Sequence, residues 1–303
     1  MTDRTGTHAQ ATFEVEYALG APTSVDQTPY EDKWPGISAV IRARDEEDVI
    51  ELSVSSLLGI VDEIVVVDNG SRDGTVDRVA EVARLNDTAT EVRLLSYDVP
   101  ISRCGTDHAA TDPEDPQSLV AFYNWTFSQA RYRQSVKWDA DMVATRFGRH
   151  LLSRLRLDTT EPVVISFERL PVYLRRRARI TEALFDLEGR SREPFFHPSY
   201  PLSRYVKADL WERLEAPSNA LVTAWIAALE LKFIERDENH HWSSPDDMRR
   251  SPRKTRELEM FELLGKGCRD DAFMPVELTV ESLQRGFDQA IVAEARAGPS
   301  TVG

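Results

Sequence analysis

From Ile37 onward the chain alternates short apolar runs with longer stretches whose apolar residues recur at helical spacing. ISAVIRA lies between Pro35-Gly36 and a run of acids, which predicts a buried strand. In DEEDVIELSVSSLLG, Val49, Leu52, Val54, Leu57 and Leu58 share one helical stripe. Acids fill its first turn and Gly59 can end it. EIVVVD, Glu63 to Asp68, is a second buried strand. NGSRDGT is a turn in which Asp73 or Thr75 can cap the helix TVDRVAEVARLN, and EVRLLSY is a third strand. Strand, helix, strand, helix, strand at this spacing predicts a parallel sheet covered by helices on both faces.

A connection from Val99 to Gln117 holds three prolines, and a loop of that length inside a domain is read as functional or disordered. Ser118 can cap LVAFYNWTFSQAR, and SVKW is a short strand that delivers Asp139-Ala140-Asp141 at its C-terminal end. Further on, RFGRHLLSRLRL reads as a helix and PVVISFE as a strand, with LPVYLRR pairing back antiparallel. Residues 180 to 217 look irregular, ALVTAWIAALELKFI reads as a helix, and an amphipathic helix begins near Thr279. Phe13 to Tyr17 alternates weakly, as a short edge strand would. The organisation expected is an N-terminal arm (1–35), two halves of one α/β domain (36–145 and 146–275), and a C-terminal helix and tail (276–303).

Composition narrows the classes. With 37 basic and 51 acidic residues the formal charge is −14, which argues against nucleic acid or anionic membrane as a partner. No apolar stretch reaches the roughly 20 residues of a membrane span. No basic segment followed by an apolar one marks a leader, so a cytoplasmic location is expected. Cys104 and Cys268 are far apart and form no C-x-x-C, and are read as free thiols. Asn124-Trp125-Thr126, a formal sequon inside a helical pattern, is read as chance.

The candidate chemistry gathers at strand ends. Asp45-Glu46-Glu47 follows the first strand, Asp68 ends the second, and Asp139 and Asp141 close the fourth. Open parallel sheets bind ligands at that edge. Close carboxylates repel one another unless a cation lies between them. The turn after the first strand is ARDEED, with neither the glycines of a dinucleotide fold nor a P-loop. A bound diphosphate would therefore need a metal to neutralise it.

AVIRARDEE, DEIVVVDNGSRDGT, and FYNWTFSQA leading to VKWDADM together resemble the nucleotide-binding half of family 2 glycosyltransferases of the GT-A fold, over about Ile37 to Met142. The resemblance implies a mostly parallel, Rossmann-like α/β sheet flanked by helices, with a small acceptor-side extension. It implies transfer of a sugar from a nucleotide-diphosphate donor, a UDP-sugar above all, to an acceptor hydroxyl, with inversion. Ala43 and Asp45 would flank the base, and Asp68 would contact base or ribose. Asn124 matches the asparagine of the helix before the metal motif. Asp139 would approach the ribose or bridge to the metal, and Asp141 would ligate Mn²⁺ or Mg²⁺ directly. His240 or His241 would add a late ligand. Arg42 stands where many members carry proline, and Asp45 where many carry asparagine.

For the base that accepts the acceptor's proton, Asp209, read as heading a helix in KADLWERL, comes first and Glu193 second. His197 reads as a packed histidine or an acceptor contact. Two basic clusters, residues 169–179 and 249–256, are solvated faces or phosphate contacts. The acceptor stays open among saccharide, lipid carrier, natural product and protein, and a homo-oligomer is compatible with the sequence. The alternatives are a sugar-nucleotide nucleotidyltransferase, for which ARDEED lacks the glycine-rich turn, and a non-catalytic nucleotide-sugar-binding protein.

Overall fold

The computed structural model describes residues 14–16, 24–157, 161–217, 220–235 and 243–297. The elements in chain order are β1 (Glu14–Glu16), β2 (Trp34–Ala43), α1 (Ile50–Leu57), β3 (Glu63–Asp68), α2 (Thr75–Leu85), β4 (Glu91–Ser96), α3 (Thr106–Ala110), α4 (Leu119–Ser128), β5 (Tyr132–Asp139), β6 (Met142–Ala144) and α5 (Arg146–Leu157). Then follow β7 (Val164–Arg177), β8 (Ile180–Phe185), β9 (Ser191–Pro198), β10 (Arg204–Ala208), β11 (Trp211–Glu215), β12 (Ala220–Phe233), α6 (Pro245–Met248), α7 (Pro252–Gly265), β13 (Met274–Val276) and α8 (Val280–Ala297).

The central sheet runs β1-β4-β3-β2-β5-β9-β7-β12-β6, with β8 and β13 continuing from β7. From β1 to β5 every pairing is parallel. This is the expected α/β architecture, a Rossmann-like sheet flanked by helices. Strand alternation divides the side chains between two layers. Ile37, Ala39 and Ile41 of β2 face α1, α2 and α5 through Ile50, Val54, Val79 and Leu152. Val40 faces the opposite way, packing with Val65 and Val67 of β3 against Phe122, Trp125 and Phe127 of α4. Phe122 is fully buried, so cutting it to alanine would cost about 3–5 kcal/mol.

Some local expectations hold. The weak alternation near Phe13 forms β1 beside β4, and Ser118 Oγ accepts from Val120 N at the start of α4. At α2 the N-cap is Gly74 rather than Asp73 or Thr75, although Asp73 Oδ1 accepts from Thr75 N beside it. The second half needs correction. ALVTAWIAALELKFI is a strand, β12, parallel to β7 over most of its length. Residues 226–233 of it are buried without a break, while Leu221, Val222 and Trp225 are exposed, and an apolar run of that kind carries no period that separates strand from helix. PVVISFE and LPVYLRR are one continuous strand, β7, and the antiparallel return is made by β8. KADLWERL is a turn in the β10–β11 hairpin rather than a helix, with Asp209 at φ 49°. Among the described residues no helix is long and apolar enough to cross a membrane.

Candidate active site

Register fixes the site. Arg42 of β2 pairs across to Asp139 of β5, and Ala43 to Asp68 of β3. The C-terminal ends of the parallel strands therefore meet at one rim. A cleft of about 390 Å³ opens there, a size suited to a small ligand. Its lining carries cations and carboxylates in equal measure: Arg42, Lys137, Arg169, Lys232, Arg253 and Lys254 against Glu46, Asp139, Asp141, Glu193, Glu212 and Glu230. Tyr123, Leu119, Trp211 and Cys104 supply the apolar walls.

Asp139 is held on both oxygens. Arg42 Nη2 donates to Oδ1 at 2.9 Å and Arg169 Nη1 to Oδ2 at 2.6 Å. Burial pushes its pKa up, but Lys137, Arg169 and Arg42 outweigh burial and hold it below the usual value. Arg42 lies flat over Tyr123, 3.8 Å from the ring centroid, a cation–π contact that fixes the guanidinium. Asp141 is held more loosely, its Oδ2 3.7 Å from Lys232 Nζ. Burial, with Lys232 pulling down and Glu230 and Asp139 pushing up, raises its pKa to about 7. Behind it Lys232 also meets Glu230 and Glu257, each at 3.3 Å.

The other expected residues are distributed as follows. Asp68 accepts from the backbone amides of Gly70 and Ser71 and so closes the turn after β3. Asp45 accepts from Arg72 N at 2.7 Å across the same rim. Ala43 is buried in the core. None of these three lines the cleft itself. Asn124 spends its amide on Tyr205, donating to the carbonyl at 2.9 Å and accepting from the N–H at 2.7 Å. It therefore pins β10, and with it Trp211 and Glu212, rather than facing the cleft. Gly105 N donates to Leu210 O and His108 Nε2 lies 3.1 Å from Trp211 O, which fixes the hairpin from its other side.

Asp209 is exposed on the hairpin turn, outside the cleft. Glu193 lines the cleft, but Arg169 and Lys137 hold both its oxygens, at 2.7 and 2.8 Å. Burial raises its pKa and these two cations more than reverse that, so it stays well below the usual carboxylate range. His240 and His241 lie outside the described residues. His197 is packed between Phe127 and Tyr205, and burial lowers its pKa to about 4. Burial pushes the Cys104 thiol up to about 12, so it is no nucleophile at neutral pH.

Four cleft residues escape a linear reading: Glu212, Glu230, Arg169 as a cleft cation, and Lys232. Glu230 and Lys232 are two apart on β12, hence on one face of a strand. Two charges at that spacing in an apolar run would mark a strand edge at a polar site, once the run is read as a strand. Arg253 and Lys254, from the second basic cluster, reach the same cleft from α7, Arg253 Nη1 lying 3.3 Å from Glu230 Oε1.

The donor set suits a divalent cation completed by a ligand. Among the described residues no three His, Cys, Asp or Glu side chains form a cage. Of the carboxylates lining the cleft, a cation would use Asp141, with or without Asp139. Mg²⁺ in particular is held by one or two carboxylates, waters and substrate phosphates rather than by an all-protein cage.

The family model described as glycosyl transferase family 2 matches residues 38–96. No curated protein matches. A glucosyl-3-phosphoglycerate synthase from Mycobacterium tuberculosis, solved with Mn²⁺, uridine diphosphate and glucosyl-3-phosphoglycerate, is 21% identical, with 53% of this chain and 52% of that chain covered and a TM-score of 0.29. A mannosyltransferase from Pyrobaculum calidifontis, solved with GDP-Man and Mn²⁺, is 19% identical over 48% and 38% of the two chains, with a TM-score of 0.31. Residues 1–349 of S. aureus TarS are 14% identical over 75% and 65%, with a TM-score of 0.36. The chain spans about half the length of the first of these. The matched residues, 38–96, run from within β2 to the end of β4.

Proposed function

We propose that the protein is a metal-dependent glycosyltransferase that moves a sugar from a nucleotide-diphosphate donor, preferentially a UDP-sugar, to an acceptor hydroxyl with inversion. One observation carries this reading. A family 2 segment ends at a rim where Asp139 and Asp141 close β5 and open into a cleft sized for a small ligand. Asp141, with Asp139 beside it, would hold Mn²⁺ or Mg²⁺. A bound cation there supplies charge stabilisation to the departing nucleotide diphosphate.

The chain's own residues do the rest. Asp45 and Asp68 edge the turn where the base and ribose would lie, and Trp211 offers an aromatic wall beside the sugar. Lys232, Arg253 and Lys254 form the cationic side that meets phosphate oxygens. Glu212 is the base best placed to take the acceptor's proton. It lines the cleft, and no ion pair with another described residue is seen at its carboxylate. Glu193 is locked between two cations, and a carboxylate held so low in pKa is a weak proton acceptor.

A thermal-shift screen of UDP-, GDP- and dTDP-sugars with Mn²⁺ tests the reading. A ligand at a hundred times its Kd stabilises by about 2.7 kcal/mol, a rise of a few degrees. One nucleotide class should produce that rise. A screen in which no nucleotide shifts the melting temperature would overturn the proposal.

A further inference from the structure

Arg169 meets three carboxylates of the cleft. It is 2% exposed. Its Nη1 donates to Asp139 Oδ2 at 2.6 Å, its Nη2 to Glu193 Oε1 at 2.7 Å, and its Nε to Ser191 Oγ at 3.1 Å. The same Nε lies 3.5 Å from Glu230 Oε2, and the guanidinium packs over Phe195, 5.4 Å from the centroid. Carboxylates from three strands, β5, β9 and β12, thus converge on one cation supplied by a fourth, β7. A guanidinium does not deprotonate in a protein, so this charge is permanent.

We propose that Arg169 is a positioning residue that acts as the cleft's built-in counter-cation, holding Asp139 back from a divalent ion until a nucleoside diphosphate arrives. This rests on the transferase reading above. Without the guanidinium, Asp139 and Glu193 would each keep one cationic partner, Arg42 and Lys137, and Glu230 would keep Lys232 and Arg253, so the cleft would carry one more carboxylate than cations and draw free cations more strongly. With it the cleft is balanced, and a bare divalent ion gains little by entering. A diphosphate adds negative charge at the rim and tips that balance. Nucleotide and cation must then strengthen each other's binding by one common factor. The two-point grip on Asp139 gives the device its geometry. Its carboxylate cannot turn fully toward a cation while Arg42 and Arg169 hold both oxygens.

The test is Mn²⁺ binding by the full chain, followed through the electron paramagnetic resonance signal of free Mn²⁺. It is done with and without UDP, or whichever nucleotide the thermal-shift screen selects. The wild type should bind Mn²⁺ about tenfold or more tightly with the nucleotide than without it. Arg169→Lys keeps the charge and should keep that dependence. Arg169→Met should bind Mn²⁺ without nucleotide nearly as tightly as with it. A wild type that binds Mn²⁺ equally well in both conditions overturns the role of Arg169, and that comparison stands even if Arg169→Met does not fold. So does an Arg169→Met variant that still needs the nucleotide. In either case a nucleotide-induced thermal shift would leave the transferase reading intact. If no nucleotide binds at all, that reading fails, and this inference with it.

Discussion

Asp141 sits where burial outweighs the attraction of Lys232, and with Glu230 and Asp139 nearby its pKa rises from 3.8 to about 7. The unfolded chain has no such environment. Between those two values the native state keeps a proton that the unfolded state has already lost. Stability therefore falls as pH climbs through that window, and above it the whole cost is in place. At about 1.36 kcal/mol per pH unit the ceiling is about 4 kcal/mol. Asp141→Asn keeps the shape and removes the charge, so it should stabilise the protein by about 2–4 kcal/mol at pH 8.5. The gain should vanish near pH 4, where both proteins are neutral at this position. Urea unfolding of the two proteins at pH 8.5 and pH 4.5 reads the difference as a shift in midpoint at constant slope. An Asn variant no more stable than the wild type at pH 8.5, or a gain that persists undiminished at low pH, would refute the reasoning. A residue whose removal stabilises the fold is one retained for something other than folding.

The neighbouring carboxylate should behave oppositely. Asp139→Ala strips Arg42 of its one carboxylate partner among the described residues and Arg169 of one of its three, and should lower unfolding free energy by about 3 kcal/mol in the same urea assay. Glu212→Gln should cut kcat at least about a hundredfold while leaving donor affinity from calorimetry unchanged, as loss of a general base does; an unchanged kcat would remove it from the role. Gly148→Ala tests the corrected strand, because a Cβ there would stand 2.0 Å from the carbonyl oxygen of Ala227 on β12. The variant should lose about 1–3 kcal/mol of stability, and full stability would contradict the packing of α5 on that strand.

What the sequence discloses and what it hides divide near residue 145. In the first half β2 and β3 are short β-branched runs and α2 has a polar face, so local pattern and tertiary role agree there. Ile37 to Ile41 and Glu63 to Asp68 could hardly be read otherwise. The rim is legible for the same reason: strand ends in a parallel sheet share an edge, which brings Asp68 and Asp139, with Asp141 just beyond, to one side of the sheet. In the second half the agreement fails. Leu, Ala and Glu in ALVTAWIAALELKF favour a helix intrinsically, yet burial between β7, α5 and α8 makes it a strand; tertiary packing overrides propensity. Losing that strand hid Glu230 and Lys232. Arg169 was visible only as one arginine among five, because its meaning comes from carboxylates on three other strands. Asn124 shows the converse. The motif position was legible, but the amide serves the backbone of Tyr205, a contact 81 residues away that no local pattern encodes.

The decisive measurement is hydrolysis of the sugar donor, with water taking the sugar at the anomeric carbon and the nucleoside diphosphate leaving, followed with Mn²⁺ present for the wild type and Asp141→Asn side by side. The wild type should release nucleotide steadily and lose that activity on chelation of the metal, and the variant should release it at least about a hundredfold more slowly. Equal release by the two proteins, or release unaffected by chelation, would contradict the transferase reading.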